Sequence, residues 1–293
     1  MLSNPFNPIQ RRLTLGLLLA VGLNWGAVRA PAAVQPITGI SVTYGTIVDT
    51  NANYSITGGG SAGFPTGTVY NVRFNEGTSN IAYLAGVVIG GLPYNAAALA
   101  PEINIARATH APATGTLHIV LYEQSSFSGT NIFLKTSYQP TMEESLRSKA
   151  INLGADNVFS DVGDGNGNNN NIQRIDYLFP DGIPVYNRID QRGFIVMDRG
   201  GNDRFKIAAI TALDGNGKPA SFGTPVSVME TNWGSMGLSL DTIVMRGYTE
   251  GGDRQHPSAD VSPQPLSGVY LNLQTLGLRT NDLIYGYSLV GND

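Results

Sequence analysis

Phe205-Lys-Ile-Ala-Ala-Ile-Thr211, closed shortly after by Asp214-Gly-Asn-Gly217, is the stretch from which the fold class is read. A short run rich in apolar and β-branched residues suits a partly buried strand. Gly and Asn take positive φ at little cost, so the four residues that follow predict a tight turn and a returning strand. The same grammar recurs along the chain. Gly39-Ile-Ser-Val-Thr-Tyr44, Thr68-Val-Tyr-Asn-Val-Arg-Phe74, Tyr83-Leu-Ala-Gly-Val-Val-Ile89 and Thr116-Leu-His-Ile-Val-Leu-Tyr122 read as strands in the first half. Ile172-Gln-Arg-Ile-Asp-Tyr-Leu-Phe179, Gly193-Phe-Ile-Val-Met197, Thr242-Ile-Val-Met-Arg246 and Leu283-Ile-Tyr-Gly-Tyr-Ser-Leu289 extend the series. Frequent turn signals between short strands predict an all-β, antiparallel, jelly-roll-like sandwich rather than a parallel α/β sheet.

One segment departs from this pattern. Thr141-Met-Glu-Glu144 has the spacing of a capping box and Pro140 stands just before it, so a short helix is expected. It divides the chain into a β-unit over residues 33–138 and a second over 139–293, or lies within one continuous sandwich. No internal repeat of fixed period is visible.

Residues 1–32 have the layout of a removable signal peptide. Arg11 and Arg12 precede the apolar run Leu13–Leu23, and Ala30-Pro31-Ala32 offers small residues for cleavage. The run is shorter than the ~20 residues a spanning helix needs, although an uncleaved anchor is the alternative. The arginine pair fits either general secretion or the twin-arginine route. Cleavage would take away Arg11, Arg12 and Arg29 and no acid, leaving a remainder more acidic than the −4 of the whole chain. Without a block of Lys and Arg to neutralise phosphates, nucleic acid is not an expected partner. The chain has no cysteine, which excludes disulfides and thiolate zinc sites.

The most unusual stretch is Asp161-Val-Gly-Asp164-Gly-Asn-Gly-Asn-Asn-Asn-Asn171. Oxygen-bearing side chains at alternate positions, with glycines allowing a tight curl, suit a hard cation. Asp161, Asp164, Asn166 and Asn168 are therefore the candidate calcium ligands. Ile175 stands where a helix-loop-helix calcium motif would place its closing Glu, so that motif is not present. A polar loop turning on its own Asn and Asp side chains is the competing reading.

Asp198-Arg-Gly-Gly-Asn-Asp-Arg204 is expected as a solvated, self-paired hairpin loop and a secondary ligand-contact candidate. Gly59-Gly-Ser61-Ala-Gly63 matches G-x-S-x-G, but Phe64-Pro65 after it cannot begin the required helix. His118 reads as a structural histidine in a strand, and His256 as a loop residue before Pro257. Asp176, Asp181, Asp190, Asp203, Glu230 and Asp241 could supply a facing carboxylate pair. Scattered acids of this kind are more commonly solubilising. Trp233 reads as a core or loop anchor rather than a sugar platform.

Several strings of the second half resemble a known type of domain. They are Tyr138-Gln-Pro-Thr-Met-Glu-Glu144, Asp156-Asn-Val-Phe159, Asp164–Ile172, Arg199-Gly-Gly-Asn-Asp203, Phe205–Ile210 and Ile284–Leu289. Over residues 138–293 the chain resembles a poorly characterised β-rich domain of exported bacterial cell-surface and adhesin-like proteins. The resemblance implies an extracellular or cell-surface setting, with the periplasm as the alternative. It implies no catalytic activity and transfers no site residues. Together these readings predict a non-catalytic structural or adhesive protein of the surface or matrix, whose partners are other surface proteins or polysaccharide. A carbohydrate-binding module acting on exopolysaccharide is the alternative.

Overall fold

The computed structural model describes residues 34–45, 53–60, 63–76, 81–96, 99–107, 118–155, 172–247 and 254–291. Among these, strands take 64% and helix 4%. Two sheets pack face to face, making an all-β sandwich.

The large sheet of eleven strands begins with β2 (Tyr54–Thr57), β3 (Val69–Arg73), β8 (Asn131–Leu134) and β7 (His118–Ser128). It continues through β15 (Gly234–Gly247), β16 (His256–Asn272), β1 (Gln35–Gly45), β4 (Ile81–Ile89) and β5 (Leu92–Asn95). Beside this path, β11 (Gly193–Arg199) pairs with β16 and β9 (Leu153–Gly154) with β7. The small sheet of six runs β13 (Pro219–Phe222), β12 (Phe205–Leu213), β17 (Leu283–Gly291), β10 (Ile172–Pro184) and β6 (Glu102–Arg107). Its sixth strand, β14 (Val226–Val228), also pairs with β12. Every pairing is antiparallel except β3 with β8.

Each strand read from sequence is found, and the Asp214 turn joins β12 to β13 as the glycines predict. The Asp214 carboxylate accepts from the backbone N–H groups of Asn216 and Lys218, and Gly217 takes a φ of +76°. The helix α1 (Met142–Leu146) is capped by Thr141, whose hydroxyl accepts from the Glu144 N–H at 3.2 Å. Strands from before and after this helix are neighbours in both sheets: β7 pairs β15, β1 pairs β16, and β6 pairs β10.

The alternation of side chains across the pleat gives the large sheet two buried faces. Along β11, Phe194 and Val196 join the core between the two sheets, while Ile195 and Met197 join a second core. Val269 and Leu271 of β16 face the first core and Tyr270 the second. The second core is closed by Ile37 of β1 and by Ala82, Leu84, Val87 and Ile89 of β4. The β1–β4–β5 end of the large sheet thus lies back over β11, β15 and β16, adding a partial third layer.

His256 departs from its expected place: it opens β16 and sits 2.9 Å through Nδ1 from the Thr57 carbonyl oxygen. The prolines disguise this strand. Pro263 falls where the β15–β16 register shifts between Leu240/Gln264 and Thr242/Val261, so no ladder bond is asked of it. There the Ser262 hydroxyl stands in for a backbone acceptor, taking the Thr242 N–H at 3.0 Å.

Candidate functional site

A buried carboxylate costs free energy unless charge and hydrogen bonds compensate it, so buried acids are where this fold could concentrate chemistry. Two buried acids and one half-buried acid stand out among the described residues, and each is built differently.

Glu123 lies near the middle of β7 and is 8% exposed. The β7–β8 hairpin returns the chain so that Lys135, just past β8, comes alongside it. Lys135 donates its own N–H to the Glu123 carbonyl, and its Nζ lies 2.5 Å from Glu123 Oε1. From the other side, Glu123 donates its N–H to the carbonyl of Asn152, the residue that leads into β9. Asn152 is 1% exposed, and its side-chain amide donates through Nδ2 to Glu123 Oε2. Its Oδ1 accepts the backbone N–H of Ala82 on β4 at 2.6 Å. One carboxylate therefore bridges an amine and a carboxamide, and the carboxamide oxygen is held by a backbone donor.

Asp176 occupies the equivalent depth in the small sheet, fully buried in β10. Arg174 grips it with Nε at 2.7 Å and Nη2 at 3.1 Å. Asn104 of β6 and Ser288 of β17 donate at 2.7 and 2.6 Å. The strands on both sides of β10 thus converge on a single carboxylate, a saturated ion pair.

Asp198 belongs to the segment expected as a hairpin loop, and here the structure corrects that expectation. β11 lies in the large sheet and β12 in the small one, so Asp198–Arg204 is the crossing between sheets. Its two arginines find partners outside the segment. The Arg199 guanidinium turns inward to the Thr242 hydroxyl (2.7 Å) and the Ile151 carbonyl (3.2 Å), while Arg204 pairs with Glu230. The Asp198 carboxylate accepts from Gly201 N–H at 2.7 Å and Asn202 N–H at 3.3 Å. Burial, and to a smaller extent the negative charge of Asp203, push the Asp198 carboxyl up to about 7. Gly201, at φ +68°, passes so close to Ser267 that a Cβ would lie 2.4 Å from its hydroxyl oxygen.

The candidates named from sequence are distributed as follows. Asp161, Asp164, Asn166 and Asn168 lie outside the described residues, as does Ser61. Among the described residues no group of three or more His, Cys, Asp or Glu is placed to hold a metal. Asp176 is paired as above, and Glu230 is an exposed partner of Arg204. His118 is buried at the start of β7, facing Glu143 at 4.0 Å. Trp233 packs against the core beside Phe205 and donates its indole N–H to the Asp203 carbonyl, which makes it an anchor of the crossing segment. Sequence reading did not single out Glu123, Lys135 and Asn152, because nothing in their local surroundings marks them. The one signal was Glu123 itself, an acid at the end of the apolar run His118–Tyr122.

No protein-family model, curated protein or solved structure matches this chain. Fold and site together define an all-β sandwich whose buried charges join strands within and between its layers. No helix among the described residues is long and apolar enough to cross a membrane.

Proposed function

We propose that the protein is an exported, non-catalytic structural or adhesive component of the cell surface or extracellular matrix, binding other surface proteins or polysaccharide. The observation that carries this reading is the way the buried charges are used. Glu123 joins the β7–β8 hairpin to the segment before β9, Asp176 draws β6 and β17 onto β10, and Arg199 ties β11 to β15. Such groups serve as cross-braces, which suits a molecule that holds its shape outside the cell without a disulfide. The leader-like residues 1–32 and the low charge support the same reading. Calcium at Asp161, Asp164, Asn166 and Asn168, in the segment between β9 and β10, belongs to this proposal.

Fractionation of cells producing the full chain tests it, with purified protein assayed in parallel on exopolysaccharide and on whole cells. Surface or medium localisation with retention on either substrate is the expected result; a cytoplasmic protein that binds neither refutes the reading. The calcium component is tested by thermal unfolding with excess calcium and then chelator. A ligand specific for the folded state adds about 2.7 kcal/mol at a hundred times its Kd. Replacing Asp161 and Asp164 should abolish the shift.

A further inference from the structure

We propose that Lys135 and Asn152 join in an intramolecular amide bond, formed by the folded protein itself with Glu123 as the catalytic acid–base. Each part of that chemistry has a group in place. An amine nucleophile needs a base beside it, and Lys135 Nζ is 2.5 Å from Glu123 Oε1. A carboxamide needs its oxygen polarised, and the Ala82 N–H donates to Asn152 Oδ1 at 2.6 Å, positioned as an oxyanion donor is. The departing nitrogen needs a proton, and Asn152 Nδ2 is hydrogen-bonded to the second oxygen of the same carboxylate. The backbone bonds Lys135 N–H to Glu123 O and Glu123 N–H to Asn152 O fix both partners relative to β7. This is the positioning that turns a slow bimolecular aminolysis into an intramolecular step. Asn152, at 1% exposed, is screened from water that would otherwise compete as nucleophile.

The step balances within the chain. The Nζ ammonium passes a proton to the Glu123 carboxylate, and the freed lone pair attacks Asn152 Cγ. The negative charge on Oδ1 is held by the Ala82 N–H. Glu123 returns its proton to Nδ2, the Cγ–Nδ2 bond breaks, and ammonia leaves, carrying off a further Nζ proton as ammonium. One C–N bond forms and one breaks, no oxidation state changes, and no co-reactant is needed. The new amide N–H remains against the regenerated carboxylate. The product closes a covalent loop around α1 and links the β7–β8 hairpin to the start of β9.

Intact-mass spectrometry and tryptic mapping of the purified full chain test the proposal directly. The expected chain is lighter by one ammonia than its sequence. Because trypsin cannot cut after an acylated lysine, peptide 108–147 should be recovered joined to peptide 150–174. Lys135→Arg and Glu123→Gln should restore the full mass and separate the two peptides. A wild-type chain that unfolds cooperatively yet has the full mass and separate peptides overturns the proposal. So does ammonia loss without the branched peptide, which would place the loss elsewhere. Both deciding outcomes are read on the wild type, so a variant that fails to fold leaves the test intact.

Discussion

Glu123 and Asp176 are two buried carboxylates in facing sheets, each holding one cation and one asparagine side-chain amide, and the cation separates their chemistry. At Asp176 it is Arg174, whose delocalised guanidinium stays charged and forks onto both oxygens. That pairing is an end state, since the guanidinium does not become a nucleophile. At Glu123 it is Lys135, a single amine on a flexible stem whose nitrogen is reactive once it gives up a proton. Asparagine also differs in its surroundings. Asn104 comes from the edge strand β6, whereas Asn152 has its carbonyl oxygen fixed by a neighbouring backbone N–H. The same acid can thus end as a structural clamp or act as a reactive centre, according to the base it meets.

The largest expected effect breaks the clamp. Asp176→Ala leaves Arg174, Asn104 and Ser288 without their shared acceptor and should cost about 3 kcal/mol in denaturant unfolding. An unchanged midpoint would mean that the small sheet does not depend on this ion pair. Lys135→Arg keeps the ion pair at Glu123 while removing the nucleophile. If the amide bond closes the loop, the variant should lose close to 3 kcal/mol through the greater freedom of its unfolded chain. A loss near zero would make the two carboxylates alike after all. The reciprocal exchange, Arg174→Lys, should cost only about 1 kcal/mol, because a point charge replaces a fork and no covalent link is at stake.

Between these falls Asp198, a half-buried acid, which has backbone amides where the others have a cation. Its carboxyl is raised from 3.8 to about 7 in the fold, chiefly by desolvation. Across that window the folded state keeps a proton the unfolded chain has already released. Stability is therefore full below pH 4, falls as pH rises towards 7, and is level above it. Asp198→Asn keeps an acceptor for Gly201 and Asn202 without the charge. It should be more stable than wild type at pH 8 by about 2 kcal/mol and flatten the pH profile. Urea midpoints at pH 4, 6 and 8 measure both effects, and parallel profiles would show that the burial of Asp198 carries no cost.

Much of this architecture was legible because strand chemistry is local. The Gly193–Met197 and Thr242–Met245 runs are apolar without alternation, which is the pattern of strands covered on both faces. The partial third layer explains that pattern, though the runs alone do not say what covers them. β16 escaped because Pro257, Pro263 and Pro265 argue against a strand, and only the register shifts opposite Thr242 and Met245 show how Pro263 and Pro257 are accommodated. The crossing at Asp198–Arg204 was misread because a turn between sheets and a turn within one use the same residues. The Glu123 centre was hidden for a different reason. Its lysine is twelve residues away and its asparagine twenty-nine, and only the pairing of β7 with β8 and β9 unites them.

The position of β17 carries a kinetic consequence. This last strand lies in the middle of the small sheet, between β10 and β12, while β1 awaits Val269 and Tyr270 for its place beside β16. Until the C-terminal strands have been synthesised, β6–β10 and β12–β13 are two fragments with an open edge between them. Closure then requires contacts of very high sequence separation, the kind that slows folding most. The small sheet therefore stays open until β17 has entered, and only then can the Ser288 hydroxyl reach the Asp176 carboxylate, whereas the Glu123 brace, held by β7, β8 and β9, does not wait for it.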